Sequence, residues 1–326
     1  MTDLVEKSKG TALMVKVFNF VLRYNTIFIF VILLGVSALI SDAFFTGRNI
    51  FNLLRQVSPI GIISLGMLLV ILTAGIDLSV GSMMALASVL VAHFLLAQNL
   101  VLSILLTIVV CVLLGSVSGF FVANRRMAPF VVTLAMMTIA KGLAYYVSNG
   151  RPIPLKESGQ ALKSFGSGEF LYVPQPVFLM FGVFVIVMLV LRYTVFGRIV
   201  VAIGSNETAV RLSGIRAGIY KFLVYGISGC MTALAGIIST SRTGVGSPIV
   251  GQGYELDAIA AVVIGGASLS GGRGTALNTL LGVFILGMIG NIMNLKNVPP
   301  YPQWIIKGLI IIFAVLLQGI QRRTER

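Results

Sequence analysis

Long apolar blocks alternate with short polar connections from residue 25 to residue 320. A helix needs about 20 mainly apolar residues to cross the hydrocarbon core of a bilayer. Blocks near that length fall at 25–41, 57–75, 80–97, 100–123, 129–147, 177–192, 221–240, 256–267, 276–294 and 303–320. The pattern predicts an all-α polytopic membrane protein with about ten transmembrane helices. The eighth block is short for a full crossing. The second, third and eighth all border a break rich in glycine and serine.

Two of these breaks echo each other. Gly75-Ile76-Asp77-Leu78-Ser79-Val80-Gly81 and Gly266-Ala267-Ser268-Leu269-Ser270-Gly271-Gly272 share the pattern G-x-x-L-S-x-G. Each ends one block and opens the next. Transporter folds built from internal repeats place broken helices at corresponding positions, so two repeat-related broken-helix segments are expected.

Basic residues set the orientation. They crowd into 1–24, 124–128, 193–220 and 321–326, and are about half as frequent in the alternate connections. That bias places both termini in the cytoplasm. Residues 1–24 become a cytoplasmic N-terminal segment and 193–220 a cytoplasmic loop. Segment 148–176, with Pro152, Pro154, Pro174 and Pro176, becomes a periplasmic loop. Residues 1–326 read as a single transmembrane domain.

Composition agrees. Apolar residues make up 57% of the 326 and charged ones 10%, with mean hydropathy +1.00. A soluble domain carries about 25% charge. The net charge of +14 is not gathered into a tract or basic face, so it points to lipid phosphate and membrane topology and not to nucleic acid. Cys111 and Cys230 lie inside apolar blocks, and His93 is the only histidine. No metal set, disulfide framework or catalytic constellation emerges, which argues against an enzyme. The glycines from Gly265 to Gly274 lack the G-x-x-x-x-G-K-[ST] pattern of a phosphate-binding loop. If ATP drives this protein, a partner binds the nucleotide and this chain holds no cofactor.

Few residues are left to carry chemistry. Asp77 follows an apolar run and precedes another. An intramembrane carboxylate suggests an ion site or proton relay. Equally, Asp77 or Ser79 would cap the third helix. Glu255 and Asp257 sit at the outer end of the eighth block, as a helix start or a contact for an external partner. Lys141 and Lys307 fall inside blocks, and either snorkel or line a conduction path. Arg273 opens the ninth block, as a lipid anchor or a contact to a cytoplasmic subunit. Asn124, Asn278, Asn291 and Asn294 are candidate path residues, or hydrogen bonds between neighbouring helices. In 204–216, Ser205 or Asn206 caps a short polar helix, Glu207 suits its first turn and Gly214 its end.

Several stretches resemble the permease subunits of ribose-type ABC sugar importers. They are Thr73 to Ser82, Pro129-Phe130-Val131-Val132-Thr133-Leu134, Ala202 to Ala209 with Arg211 to Ile215, and Ala258 to Thr275. The likeness covers nearly the whole chain. It implies a permease that translocates a monosaccharide and pairs with a second copy or a close homologue. It further implies a cytoplasmic ATPase subunit with two nucleotide-binding modules holding ATP and magnesium, and a periplasmic sugar-binding protein. Gly204, Asn206, Glu207, Ala209, Arg211 and Gly214 would form the helix that docks on the ATPase. Gly75, Asp77, Ser79, Gly81, Ser268, Ser270, Gly272 and Arg273 would form the gating breaks. The segment departs from the E-A-A-x-x-x-G pattern of other importers: Thr208 separates Glu207 from Ala209, and Gly214 follows the glutamate by seven. Alternatives are an ABC permease for a nucleoside, polyol or signalling furanone, and a proton-coupled secondary transporter using Asp77.

Overall fold

The computed structural model describes residues 25–324. Helices dominate: α1 (Asn25–Ile40), α2 (Gly47–Leu72), α3 (Val80–Phe94), α4 (Leu100–Ala123), α5 (Pro129–Ser148), α6 (Gln160–Ser167), α7 (Gln175–Tyr193), α8 (Val195–Leu212), α9 (Ala217–Thr243), α10 (Tyr254–Ile264), α11 (Ala276–Leu295) and α12 (Pro300–Thr324). Six of them, α2, α4, α5, α7, α9 and α11, are long and apolar enough to cross a membrane. Helices α3 and α10, at 15 and 11 residues, are shorter than a full crossing. The expected N-terminal segment 1–24 lies outside the described residues.

Helices α2 and α9 form the centre. Within their apolar windows 78% and 72% of residues are buried, against 22% in α4. Helix α2 starts ten residues before the apolar block and passes through Pro59. Its first turn is capped by Thr46, whose hydroxyl accepts from Asn49 N–H.

Helix α4 shows why the fold suits lipid. Val101, Leu105, Val109, Leu113 and Val117 recur every four residues and are 43–67% exposed. The opposite face, Ser103, Thr107, Cys111, Gly115 and Gly119, is buried. Water would penalise that arrangement. In a bilayer small residues belong between helices, where they let backbones approach closely. A Cβ on Gly119 would stand 2.8 Å from the Phe222 carbonyl oxygen of α9, and Gly115 meets Tyr225 O in the same way.

The expected loop 148–176 is partly ordered secondary structure. Strand β1 (Ile153–Pro154) pairs antiparallel with β4 (Val245–Gly246), and β2 (Glu169–Phe170) with β3 (Val173–Pro174). Helix α6 packs on α9. Arg55 of α2 binds Glu169 at 2.7 Å.

The expected short helix at 204–216 is the second half of α8. The first half begins at Val195, capped by Thr194. Asn206 breaks the helix at φ −161° and ψ 92°.

Candidate functional site

The first break starts with a Schellman end to α2. Gly75 N–H donates to Val70 O and Ala74 N–H to Ile71 O, with Ala74 left-handed at φ 61°. The second break starts in the same way. Ala267 N–H donates to Val262 O, Gly266 N–H to Val263 O, and Gly266 has φ 81°. Thus Ala74 corresponds to Gly266, one residue out of register with the G-x-x-L-S-x-G echo. The second break is also longer, because α11 starts only at Ala276 while α3 starts at Val80. Ser79 is the N-cap residue of α3, whereas Ser270 is exposed in mid-loop. The sequence echo marks two similar helix ends and not two superposable breaks.

Asp77 is 1% exposed. Its Oδ1 accepts from Ser79 N–H at 3.0 Å and from Ser79 Oγ, and its Oδ2 accepts from Ser228 Oγ at 2.8 Å. Neither Asp77 nor Ser79 accepts from the first turn of α3, where no side-chain cap bond forms. The capping expectation is therefore replaced by a clamp: Asp77 ties the break to α9. Thr133 of α5 also reaches the break: its single hydroxyl proton is shared between Pro129 O of its own helix at 2.9 Å and Ile76 O at 3.1 Å. This explains the Pro129–Leu134 stretch.

The open N-terminus of α3 faces a second carboxylate. Glu255 Oε2 lies against Gly81, where any Cβ would overlap it. The positive end of the helix dipole favours negative charge there.

Two cavities flank this break. One, of about 360 Å³, is lined by Thr73 and Gly75, by Gly204 to Glu207, and by Lys221 and Tyr225. The other, of about 190 Å³, is lined by Gly81, Lys141, Tyr145, Gln252 and Glu255 among others. Residues 75 to 81, with the Asp77 clamp, stand between them. Tyr225 is fully buried, and its hydroxyl has no hydrogen-bond partner. A Cβ on Gly75 would lie 2.6 Å from it.

The second break meets the first at α8. Gly272 N–H donates to Leu72 O at 3.0 Å. Gly204 of α8 packs against Leu72 O, Gly272 N and Gly271 Cα so tightly that a Cβ has no space. Ser205 packs on Gly272. Both breaks and the start of the polar helix thus share one junction.

Beyond Gly204, Asn206 Oδ1 accepts from Ala209 N–H at 3.0 Å and caps the polar half-helix. Glu207 pairs with Arg211 one turn on and with Lys221 of α9. Partial burial pushes the Glu207 carboxyl up, while Lys221 and Arg211 pull it down further, leaving it below the usual carboxylate range. Gly214 ends the segment at φ 79°. Leu212 is 85% exposed.

The four asparagines do not gather. Asn291 and Asn49 exchange two hydrogen bonds of 2.9 Å between α11 and α2. Asn294 accepts from Gln303 of α12 at 2.9 Å. Asn124 is exposed at the end of α4, and Asn278 sits in the first turn of α11. Lys307 binds Asp257 at 2.8 Å, joining α12 to α10. Ser268 N–H donates to Arg273 O, closing the second break. Ser228, Tyr225 and Lys221 contribute to the site without any motif of their own, whereas Thr133 belongs to the Pro129–Leu134 stretch.

A family profile described as branched-chain amino acid transport system / permease component matches residues 49–315. The ribose import permease protein of Bacillus subtilis is 44% identical over 287 residues, 88% of this chain and 89% of that protein. Its Escherichia coli (strain K12) counterpart is 41% identical over 291 residues, 88% and 91% of the two chains. The L-arabinose ABC transporter permease protein of Azospirillum brasilense is 35% identical over 311 residues, 95% and 91%. No solved structure matches.

Proposed function

The chain belongs to the branched-chain amino acid transport system / permease component family, and on that premise we propose that it is the membrane-spanning subunit of an ATP-driven monosaccharide importer. The resemblance to ribose-type permeases agrees with relatives whose names specify ribose and L-arabinose transport. One observation supports the mechanism. The polar half-helix that would dock on an ATPase is continuous with a junction shared by both breaks, through Gly204.

Ten helices, α1 to α5, α7 and α9 to α12, enter the bilayer in this reading, with α3 and α10 crossing part way. Both termini and 193–220 face the cytoplasm, and 148–176 faces outward. An ATPase subunit with two nucleotide-binding modules holds ATP and magnesium and grips Asn206–Leu212. A binding protein delivers sugar to the outer face, and a second permease copy completes the conduit. ATP-driven closure moves α8, the junction carries that motion to residues 73–79, and access alternates between the two cavities.

The proton-coupled alternative gains little support, because both Asp77 oxygens are engaged by serine groups. The test is uptake of labelled D-ribose and L-arabinose into proteoliposomes holding this chain with its ATPase and binding protein. Uptake of either sugar is expected only with all three and ATP. Uptake by this chain alone under a pH gradient would overturn the reading.

A further inference from the structure

The cavity beside Gly81 differs from the one at the junction. It is walled by the start of α3, the middle of α5, the turn at 250–252 and the start of α10. Lys141 sits 12 residues into α5 and seven before its last residue, Ser148, so it lies about 10 Å from that end at 1.5 Å per residue. A cation at such depth in an apolar helix marks a functional position. Among the described residues Lys141 makes no hydrogen bond or ion pair, and it shares the cavity wall with Glu255. The Glu255 carboxyl group lies where Gly81 lacks a side chain, beside the Gly251 carbonyl oxygen. Tyr145 stands one turn above Lys141, and Gln252 faces in from the turn. Met137 supplies an apolar wall.

We infer that this cavity is the outer sugar subsite, where Lys141, Glu255, Tyr145 and Gln252 receive the hydroxyls of a neutral monosaccharide before the Asp77 clamp releases. The inference rests on the importer reading. An ammonium that donates, a carboxyl oxygen that accepts and two groups that do both suit adjacent hydroxyls, each of which donates and accepts. The cavity volume of about 190 Å³ keeps the groups apart, so that they can engage a solute between them.

The test compares Lys141→Met and Glu255→Gln with the parent in proteoliposomes holding the full importer, with D-ribose and L-arabinose as probes. Each variant is expected to lose about 10-fold in uptake, as for one hydrogen bond to a charged group. Membrane amount and ATP hydrolysis are expected to stay at the parent level. Parent-level uptake by both variants would overturn the subsite. So would a fall matched by equal loss of membrane protein or of ATP hydrolysis, since that marks a packing role. If the parent itself imports neither sugar, the importer reading fails, and the outcome is distinguishable from failure of the subsite alone.

Discussion

Ser228 on α9 donates its hydroxyl to Asp77 at 2.8 Å, bridging 151 positions of sequence. The bond fixes the first break to the central helix. Replacing Asp77 by leucine leaves the Ser79 and Ser228 donors without an acceptor. Each orphaned buried group costs about 1–3 kcal/mol, so Asp77→Leu lowers the thermal midpoint in detergent. Asp77→Ser fares poorly too, because a shorter side chain does not span both partners. Asp77→Ala and Ser228→Ala are expected to be non-additive, with a coupling of about 0.5–3 kcal/mol in a double-mutant cycle.

Gly204→Val forces α8 away from Leu72 and Gly272. The expected outcome is a complex that assembles and hydrolyses ATP while sugar uptake falls about 10-fold or more, as when a small displacement remote from the working groups disrupts their geometry. Parallel uptake and phosphate-release assays on one preparation measure the separation.

Leu212→Cys reports sidedness. At 85% exposure in this chain alone it should react, in vesicles that lack the ATPase, with a membrane-impermeant maleimide when inside-out and stay unlabelled when right-side-out. Labelling in the opposite pair would invert the topology.

Glu207 links α8 to α9 through Lys221. Its carboxyl sits below the usual range, so its stabilising contribution is complete above the ordinary carboxylate value and fades as pH falls through the lowered folded value. The pair is partly exposed, and its worth is at most about 1 kcal/mol. Glu207→Gln should therefore shift the thermal midpoint little at pH 7, and less still at pH 3. Coupling of hydrolysis to uptake should suffer far more than stability.

Asn291→Ala breaks the exchange with Asn49. Interhelical hydrogen bonds in membranes contribute about 0.6–2 kcal/mol. Detergent stability should fall by that order while the preference between ribose and arabinose is unchanged. A changed preference would return Asn291 to the solute path.

Much of this was legible in the chain. Apolar length located α4, α5, α7 and α11 closely, since a crossing segment needs little but length and apolarity. Asn206 and Gly214 announced the bounds of the polar half-helix through local backbone chemistry. What escaped was long-range. Nothing in the sequence near Asp77 names Ser228 as its partner, and a cap was the best local guess. The four-residue excess of the second break hid behind matching letters, because identical side chains at Ser79 and Ser270 serve different backbone positions. Lys307 looked like a snorkelling side chain until Asp257, 50 positions away, proved to face it at 2.8 Å.

The aliphatic row on α4 has a final implication. From Val101 to Val117 it extends about 24 Å at 1.5 Å per residue, close to the depth of a bilayer's oily interior. The helix therefore works as a dipstick, and its back is seated glycine-to-carbonyl on Tyr225 and Phe222. A membrane thinner than that row favours a tilt of α4, and a thicker one thins around it. That seat lies on the backbone of the tyrosine beside the first break, so a tilt of α4 would press first on the central helix α9.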